Sequence, residues 1–231
     1  LFLSPVVVEN MISHLLVATL CLYGASGQTV DPSGPSYLEL YTMEGATGAS
    51  ITIEEYTHDL SDIGFDDLVK SVCGQGAWMM YNFHSYNNHH WQDTWTELFI
   101  SASHSCHDLP VTRHGDVSSV RFAGTGDLQD ETLNIYHGMD WSQGEEMFIR
   151  DEDWFGDYNN EATSLIITGQ SPWTVYEHSY SGAAICLEPY DYGGAWTGAW
   201  NTWDIGMPNN AISSARKGCF AEKVLKFQPK Q

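Results

Sequence analysis

Basic residues are scarce in this chain. Nine Lys and Arg stand against 30 Asp and Glu, leaving a formal net charge of −21 over 231 residues. A field of that sign repels phosphates, which argues against nucleic acid and anionic membrane surfaces as partners and favours cations. A membrane-spanning run is missing too: the apolar stretch after Met11, from Ile12 to Gly27, falls short of the roughly 20 residues a bilayer asks for. Catalytic signatures are also absent. There is no Gly-x-Ser-x-Gly elbow, no His-Glu-x-x-His and no phosphate-cradling glycine loop. Pairs of carboxylates could serve a glycosidase, but among 30 acids such pairs arise by chance. Helical periodicity is lacking over any long stretch, which argues against a helix bundle. An enzyme is not expected.

What the chain does have is 42% hydrophobic and 13% aromatic residues, the composition of a packed globular protein with an acidic surface. The run after Met11 ends in Gly24-Ala25-Ser26-Gly27, small residues suited to signal peptidase, although no Lys or Arg precedes it. Residues 1–27 are therefore expected to be a leader with a signal peptide, the other reading being a buried strand or helix, and the mature chain to be secreted. Without Cys21, four cysteines remain, Cys73, Cys106, Cys186 and Cys219. An even count in a secreted chain favours disulfides over free thiols, with three connectivities open. Pairing within each half, Cys73 with Cys106 and Cys186 with Cys219, is the expectation.

Short runs of β-branched and aromatic residues recur between Gly, Asp, Asn and Pro: Tyr37-Leu38-Glu39-Leu40-Tyr41, Ala77-Trp78-Met79-Met80-Tyr81, Leu133-Asn134-Ile135-Tyr136 and Trp173-Thr174-Val175-Tyr176 among them. They predict an all-β sandwich or barrel. The polar, glycine-bearing segment 124–131 reads as a linker, giving domains of 36–123 and 132–221.

One hexapeptide occurs twice almost unaltered: Asn159-Asn160-Glu161-Ala162-Thr163-Ser164 and Asn209-Asn210-Ala211-Ile212-Ser213-Ser214. Weaker versions begin at Asp66 and His114, so the chain looks like a pair of units copied once. Each quarter also opens with a strand ending in tyrosine and then a tight turn, at Tyr41, Tyr81, Tyr136 and Tyr176. Four tyrosine-led turns in register with four serine-ending strings resemble the Greek-key motif of the βγ-crystallin family. The likeness runs over nearly all of the mature chain. It departs from the family pattern at Ala46, where an aromatic is usual, and at Asn88 and Gln143, which replace a glycine; the fourth turn is one residue shorter.

The resemblance implies an all-β chain of two βγ-crystallin-like domains, each a two-sheet sandwich of two Greek-key motifs. It also implies calcium. The strings carry hard oxygen donors, the type Ca²⁺ selects, and in that family they are a calcium signature in which two loops of one domain combine. Carried over, the C-terminal ligands are Asn159, the Glu161 carbonyl and Thr163 from one loop, with Asn209, the Ala211 carbonyl and Ser213 from the other. Affinity in the extracellular range, on the order of 10⁻⁵ to 10⁻³ M, is expected. In the N-terminal domain Lys70 stands where a hydroxyl is needed and His114-Gly115 head the second loop, so at most a weak site built on Asp66 and Ser118 is expected. The plain alternative is that these turn-forming residues only hydrogen-bond their own loops.

Two further constellations stand out. His84, His89, His90, His104 and His107 near Cys106 suggest zinc or copper, but few have ligand spacing and Cys106 is wanted for a disulfide, so solvated loop histidines are expected. Trp91, Trp95, Trp196, Trp200 and Trp203 are read first as sandwich core. The alternative is an aromatic platform for a small hydrophobic ligand, such as a carotenoid pigment or a lipid, or for a glycan. The expected function is that of a secreted, non-enzymatic, calcium-binding structural or extracellular protein, with a carrier or recognition module as the alternative. Oligomeric state is not legible in the sequence.

Overall fold

A computed structural model describes residues 35–90 and 92–228. The leader 1–27 with Cys21, Trp91 and residues 229–231 lie outside the described residues. The rest is mostly β-structure, fourteen strands in chain order with short helical turns between them, 3-10 turns at Leu60–Ile63, Val111–Arg113 and Gly156–Tyr158 and a regular α-turn at Thr202–Ile205 among them.

In the C-terminal half the first motif is β6 (Thr132–Tyr136), β7 (Glu145–Phe148) and β8 (Ser164–Thr168); the second is β9 (Trp173–His178), β10 (Ser181–Glu188), β12 (Trp196–Asn201) and β13 (Ser214–Lys217). The two motifs exchange strands. β12 of the second motif pairs with β8 of the first, giving a sheet β11-β12-β8-β6-β7 that the short β11 (Tyr190–Asp191) extends. In return, Glu152 of the first motif bridges to Ala215 on β13 in the second sheet, β13-β9-β10-β14. This exchange is the Greek-key connection that the paired turns predict. β14 (Val224–Lys226), in a tail without sequence pattern, lies parallel to β10.

The N-terminal half repeats the plan with its strands fused. β1 (Tyr37–Met43) and β2 (Thr47–Ile53) form a hairpin, and β1 pairs with Ser71–Gln75 of β3 (Ser71–Tyr81). The other half of β3 pairs with β5 (Ser119–Phe122), while β4 (Thr96–Asp108) runs beside both halves. Thus β3 and β4 serve both sheets of the domain. The bend falls at Gly74–Gly76, where the β3–β4 register shifts. Gly76 has φ 115, and a Cβ there would collide with Ser36, so only glycine fits the bend.

Alternation sorts the buried residues. Trp78 and Met80 of β3 enter the N-terminal core, and Ala77, Met79 and Tyr81 point the opposite way into a third apolar cluster. Leu165 and Ile167 of β8 enter the C-terminal core, with Ile166 in the shared cluster. That cluster is the domain interface, and it joins the second motif of one domain to the first motif of the next. Trp78 and Trp173, each three residues before a turn tyrosine, are fully buried at the centres of the two cores. Both disulfides form within their own half, Cys73–Cys106 and Cys186–Cys219. No helix among the described residues is long and apolar enough to cross a membrane.

Candidate metal-binding loops and the domain interface

The four strings occupy equivalent places, shown by hydrogen bonds that recur in each. The fifth residue donates its N–H to the carbonyl of its turn tyrosine: Lys70 to Tyr41, Ser118 to Tyr81, Thr163 to Tyr136 and Ser213 to Tyr176, all at 2.8–2.9 Å. The sixth residue, always serine, pins the turn itself. Ser164 Oγ donates to the Gly138 carbonyl at 2.6 Å and accepts from the Trp141 N–H at 2.9 Å. Ser71, Ser119 and Ser214 make the same pair of bonds. The residue whose N–H the serine holds is left-handed in every case: Ala46, Tyr86, Trp141 and Tyr180. The substituted glycine positions differ. Gln143 keeps a positive φ of 66, whereas Asn88 is extended at φ −62 and its turn instead places Ser85, Tyr86 and Asn87 in the left-handed region.

The second residue of each string is left-handed too: Asp67, Gly115, Asn160 and Asn210, at φ 55–64. Asn, Asp and Gly are the residues that tolerate this conformation. Its N–H reaches the fourth carbonyl of the partner loop. Asn160 N–H bonds Ile212 O and Asn210 N–H bonds Ala162 O; Asp67 N–H bonds Val117 O and Gly115 N–H bonds Val69 O. Each loop of a pair thus gives one backbone hydrogen bond to the other and takes one from it.

This pairing sets the oxygens. Thr163 Oγ1 lies 3.2 Å from Asn210 Oδ1, and Ser213 Oγ lies 3.0 Å from Asn160 Oδ1 and 2.7 Å from the Glu177 carbonyl. The hydroxyls of both loops therefore face the second, not the first, asparagine of the partner loop. Ser213 has one hydrogen to share between two acceptors. Asn159 Oδ1 is buried with no hydrogen-bond partner, while Asn209, Glu161, Thr163 and Asn210 border a cavity of about 460 Å³ between the domains. Ala211 lies in the same loop, half-buried. All these donors are oxygen, as Ca²⁺ requires.

In the N-terminal domain Asp67 and Ser118 occupy the places of Asn160 and Ser213, and Ser118 acts to lower the Asp67 pKa. Burial, then the neighbouring Asp66 and Asp116, raises the Asp67 carboxyl above its usual value. Asp66 Oδ1 is buried without a partner, as Asn159 Oδ1 is. The opposite half-site offers Lys70, whose side chain is exposed, and Gly115, which has no side chain. Asn160, Asn210, Asp67 and the Glu177 carbonyl are not among the residues expected from the sequence; the doubled Asn or Asp heading three of the four strings was the available signal for the first three.

Comparison with known proteins turns on the fold. Geodin, a beta-gamma crystallin from Geodia cydonium, superposes with a TM-score of 0.60 over 80% of this chain and 99% of its own, at 20% identity. The chain has the βγ-crystallin fold. A betagamma-crystallin from an archaeon (TM-score 0.32, 23% identity, 38% of this chain and 96% of its own) matches more loosely. So does Protein S, solved in complex with calcium (TM-score 0.29, 14% identity, 79% of this chain and 99% of its own). No protein-family model and no curated protein matches the sequence.

Within this βγ-crystallin fold the interface is organised around Arg121 of β5, whose side chain is 2% exposed. Its Nε donates to Tyr81 OH at 2.9 Å, Nη1 to the Gln143 carbonyl at 3.0 Å and Nη2 to the Trp141 carbonyl at 2.7 Å. Glu145 Oε2 lies 3.7 Å from Nη1 and accepts from Tyr56 OH at 2.9 Å. The guanidinium also stands over the rings of Tyr86 and Tyr136, at 4.6 and 4.8 Å. Burial, reinforced by Glu145, keeps the Tyr56 hydroxyl far above its usual pKa and so a permanent donor. Arg121 and Ile166 both stand two residues beyond a string serine and face each other's domain, so one cation fills a place that is apolar on the opposite side.

The histidines do not converge on one another: His84 faces Asp59 at 3.3 Å and His90 stacks on Phe83. His104 and His107 lie in strand β4 and not in a loop, His104 beside Cys106 and His107 half-buried, where burial lowers its pKa. Trp95 and Trp200 are buried, Trp95 donating to Asp116 at 2.8 Å, whereas Trp196 is half-buried and Trp203 exposed.

Proposed function

We propose that this is a non-enzymatic, extracellular βγ-crystallin-type protein that binds Ca²⁺ between the paired loops of its C-terminal domain. One observation carries the reading: Ser213 Oγ, Asn160 Oδ1 and the Glu177 carbonyl crowd together with a single O–H hydrogen among them. A cation is the partner such a group of oxygens lacks. Thr163 and Ser213 would supply hydroxyls, with the Glu161 and Ala211 carbonyls and the amides of Asn159, Asn160, Asn209 and Asn210 as the remaining donors. The N-terminal pair retains one half, Asp66 and Asp67 with Ser118, and is proposed to bind weakly. Calcium here would tie two motifs together and offset the acidic surface. The protein's two disulfides agree with a secreted chain.

The test is thermal unfolding after chelation. Calcium at about 100 times its Kd adds about 2.7 kcal/mol, or roughly 11–22 °C at about 4–8 °C per kcal/mol for a domain of this size. Ser213→Ala should remove most of that rise. A melting temperature unmoved by millimolar calcium would sink the proposal.

A second reading, a carrier of a small hydrophobic ligand, is favoured by one feature. A cavity of about 530 Å³ between the domains is lined by Phe99, Trp141, Tyr192 and Phe227 beside Glu97 and Asp140. Native mass spectrometry of the freshly isolated protein should then show a bound adduct, and a bare apo mass would eliminate this reading.

A further inference from the structure

Cys73 of β3 and Cys106 of β4 are direct register partners, and Glu39 of β1 is the next residue along the same row. Opposed residues share one face of a sheet, and so do residues two apart on a strand. His104 therefore stands beside Cys106. Its Nε2 lies 3.7 Å from Cys106 Sγ, and its Nδ1 is 2.8 Å from Tyr37 OH, with the two rings stacked at an interplanar angle of 15°. The donor atoms of Cys73, His104 and Cys106 all lie within 4.8 Å of one another, the one such group of three among the described residues.

In the disulfide neither sulfur is a thiolate, and only thiolates ligate. We propose that reduction of Cys73–Cys106 converts this group into a Zn²⁺ site, held by two thiolates and His104 Nε2 with a fourth position left to water. The ligand set is the soft sulfur and imidazole combination that selects zinc, and it differs from the all-oxygen loops. Tyr37 supplies the outer contact that fixes which ring nitrogen of His104 faces the metal. Cys106 and His104 are exposed, which gives an entry path, and the −21 charge draws cations towards the surface.

The redox step uses a small thiol as reductant. One thiolate attacks the exposed Cys106 sulfur, forming a mixed disulfide and releasing Cys73 as the leaving thiolate, which takes up the proton. A second attacks the reductant sulfur of that mixed disulfide and releases Cys106. Two thiols are oxidised to one disulfide, and the protein disulfide is reduced to two thiols. Zn²⁺ then displaces the two thiol protons to water without changing oxidation state.

The full chain, reduced with a phosphine and freed of it without air, is titrated with Co²⁺ and then Zn²⁺. The expected result is one equivalent of cobalt with sulfur-to-metal charge-transfer absorption, displaced by zinc, and no such absorption from the oxidised chain. Cys106→Ser should abolish the signal. His104→Ala should weaken binding at least about 10-fold, the size of effect that even an outer partner carries. The paired Cys186→Ser and Cys219→Ser changes should leave the signal unaltered. A reduced chain of native circular dichroism that gives no absorption overturns the proposal, as does absorption that survives Cys106→Ser. If reduction unfolds the chain, zinc should restore its circular dichroism in the parent and not in His104→Ala; a chain that zinc leaves unfolded overturns it equally.

Discussion

Arg121→Met is expected to destabilise the protein by about 3–5 kcal/mol, the cost of removing one partner from a buried ionic group. The change leaves the Gln143 carbonyl without the donor it has from Nη1, and leaves Glu145 facing no cation in a nearly closed interface. Methionine fills much of the volume, so the loss measures polar satisfaction and not a cavity. The double change Arg121→Met with Glu145→Leu should recover part of the loss, since a buried pair replaced as a unit by apolar residues is often neutral or better. Denaturant unfolding of both variants reads the coupling. A single variant that loses less than about 1 kcal/mol would mean that the guanidinium is spectator to the interface.

Ser164→Ala should cost about 2–4 kcal/mol although it deletes one oxygen atom. Ser164 is fully buried and stands between two backbone groups, accepting from Trp141 N–H and donating to Gly138 O. Alanine leaves a donor and an acceptor without partners, each worth about 1–3 kcal/mol when buried. It also releases a left-handed tryptophan that the serine holds at φ 57. Ser214→Ala removes the equivalent bonds to Tyr180 and His178 and should behave alike. A shift in urea midpoint equivalent to less than about 0.5 kcal/mol for both would show that the turns hold without their serines.

The recurrence of those serines is why so much of the fold was legible. A turn that needs a left-handed residue and a hydroxyl at fixed offsets leaves a mark in sequence, and four such marks in register predict four motifs. Cysteine pairing was legible because each pair sits within one half. The fused strands β3 and β4 were not: continuation of a strand across two sheets depends on one bend at Gly74–Gly76, and those glycines carry no sign of which way the chain turns. Arg121 was illegible for a different reason. Nothing in Ser119-Val120-Arg121-Phe122 distinguishes an arginine bound for water from one bound for an interface, since the partners that bury it come from Tyr81, Trp141, Gln143 and Glu145, distant in the chain. The loop oxygens were half legible. The string predicted which loops meet, but which asparagine of each doublet faces the partner is decided by the left-handed backbone at Asn160 and Asn210.

The short β14 has a protective consequence. β10 is eight residues long and would otherwise form one border of its sheet with a free row of N–H and C=O groups. Such a border is a template on which a second molecule adds its own strand, the first step towards fibrous aggregation. The three residues of β14 occupy that row, and Lys226 at their end sets a charge where an incoming strand would dock. The three residues of β14 thereby guard β10 against self-templating.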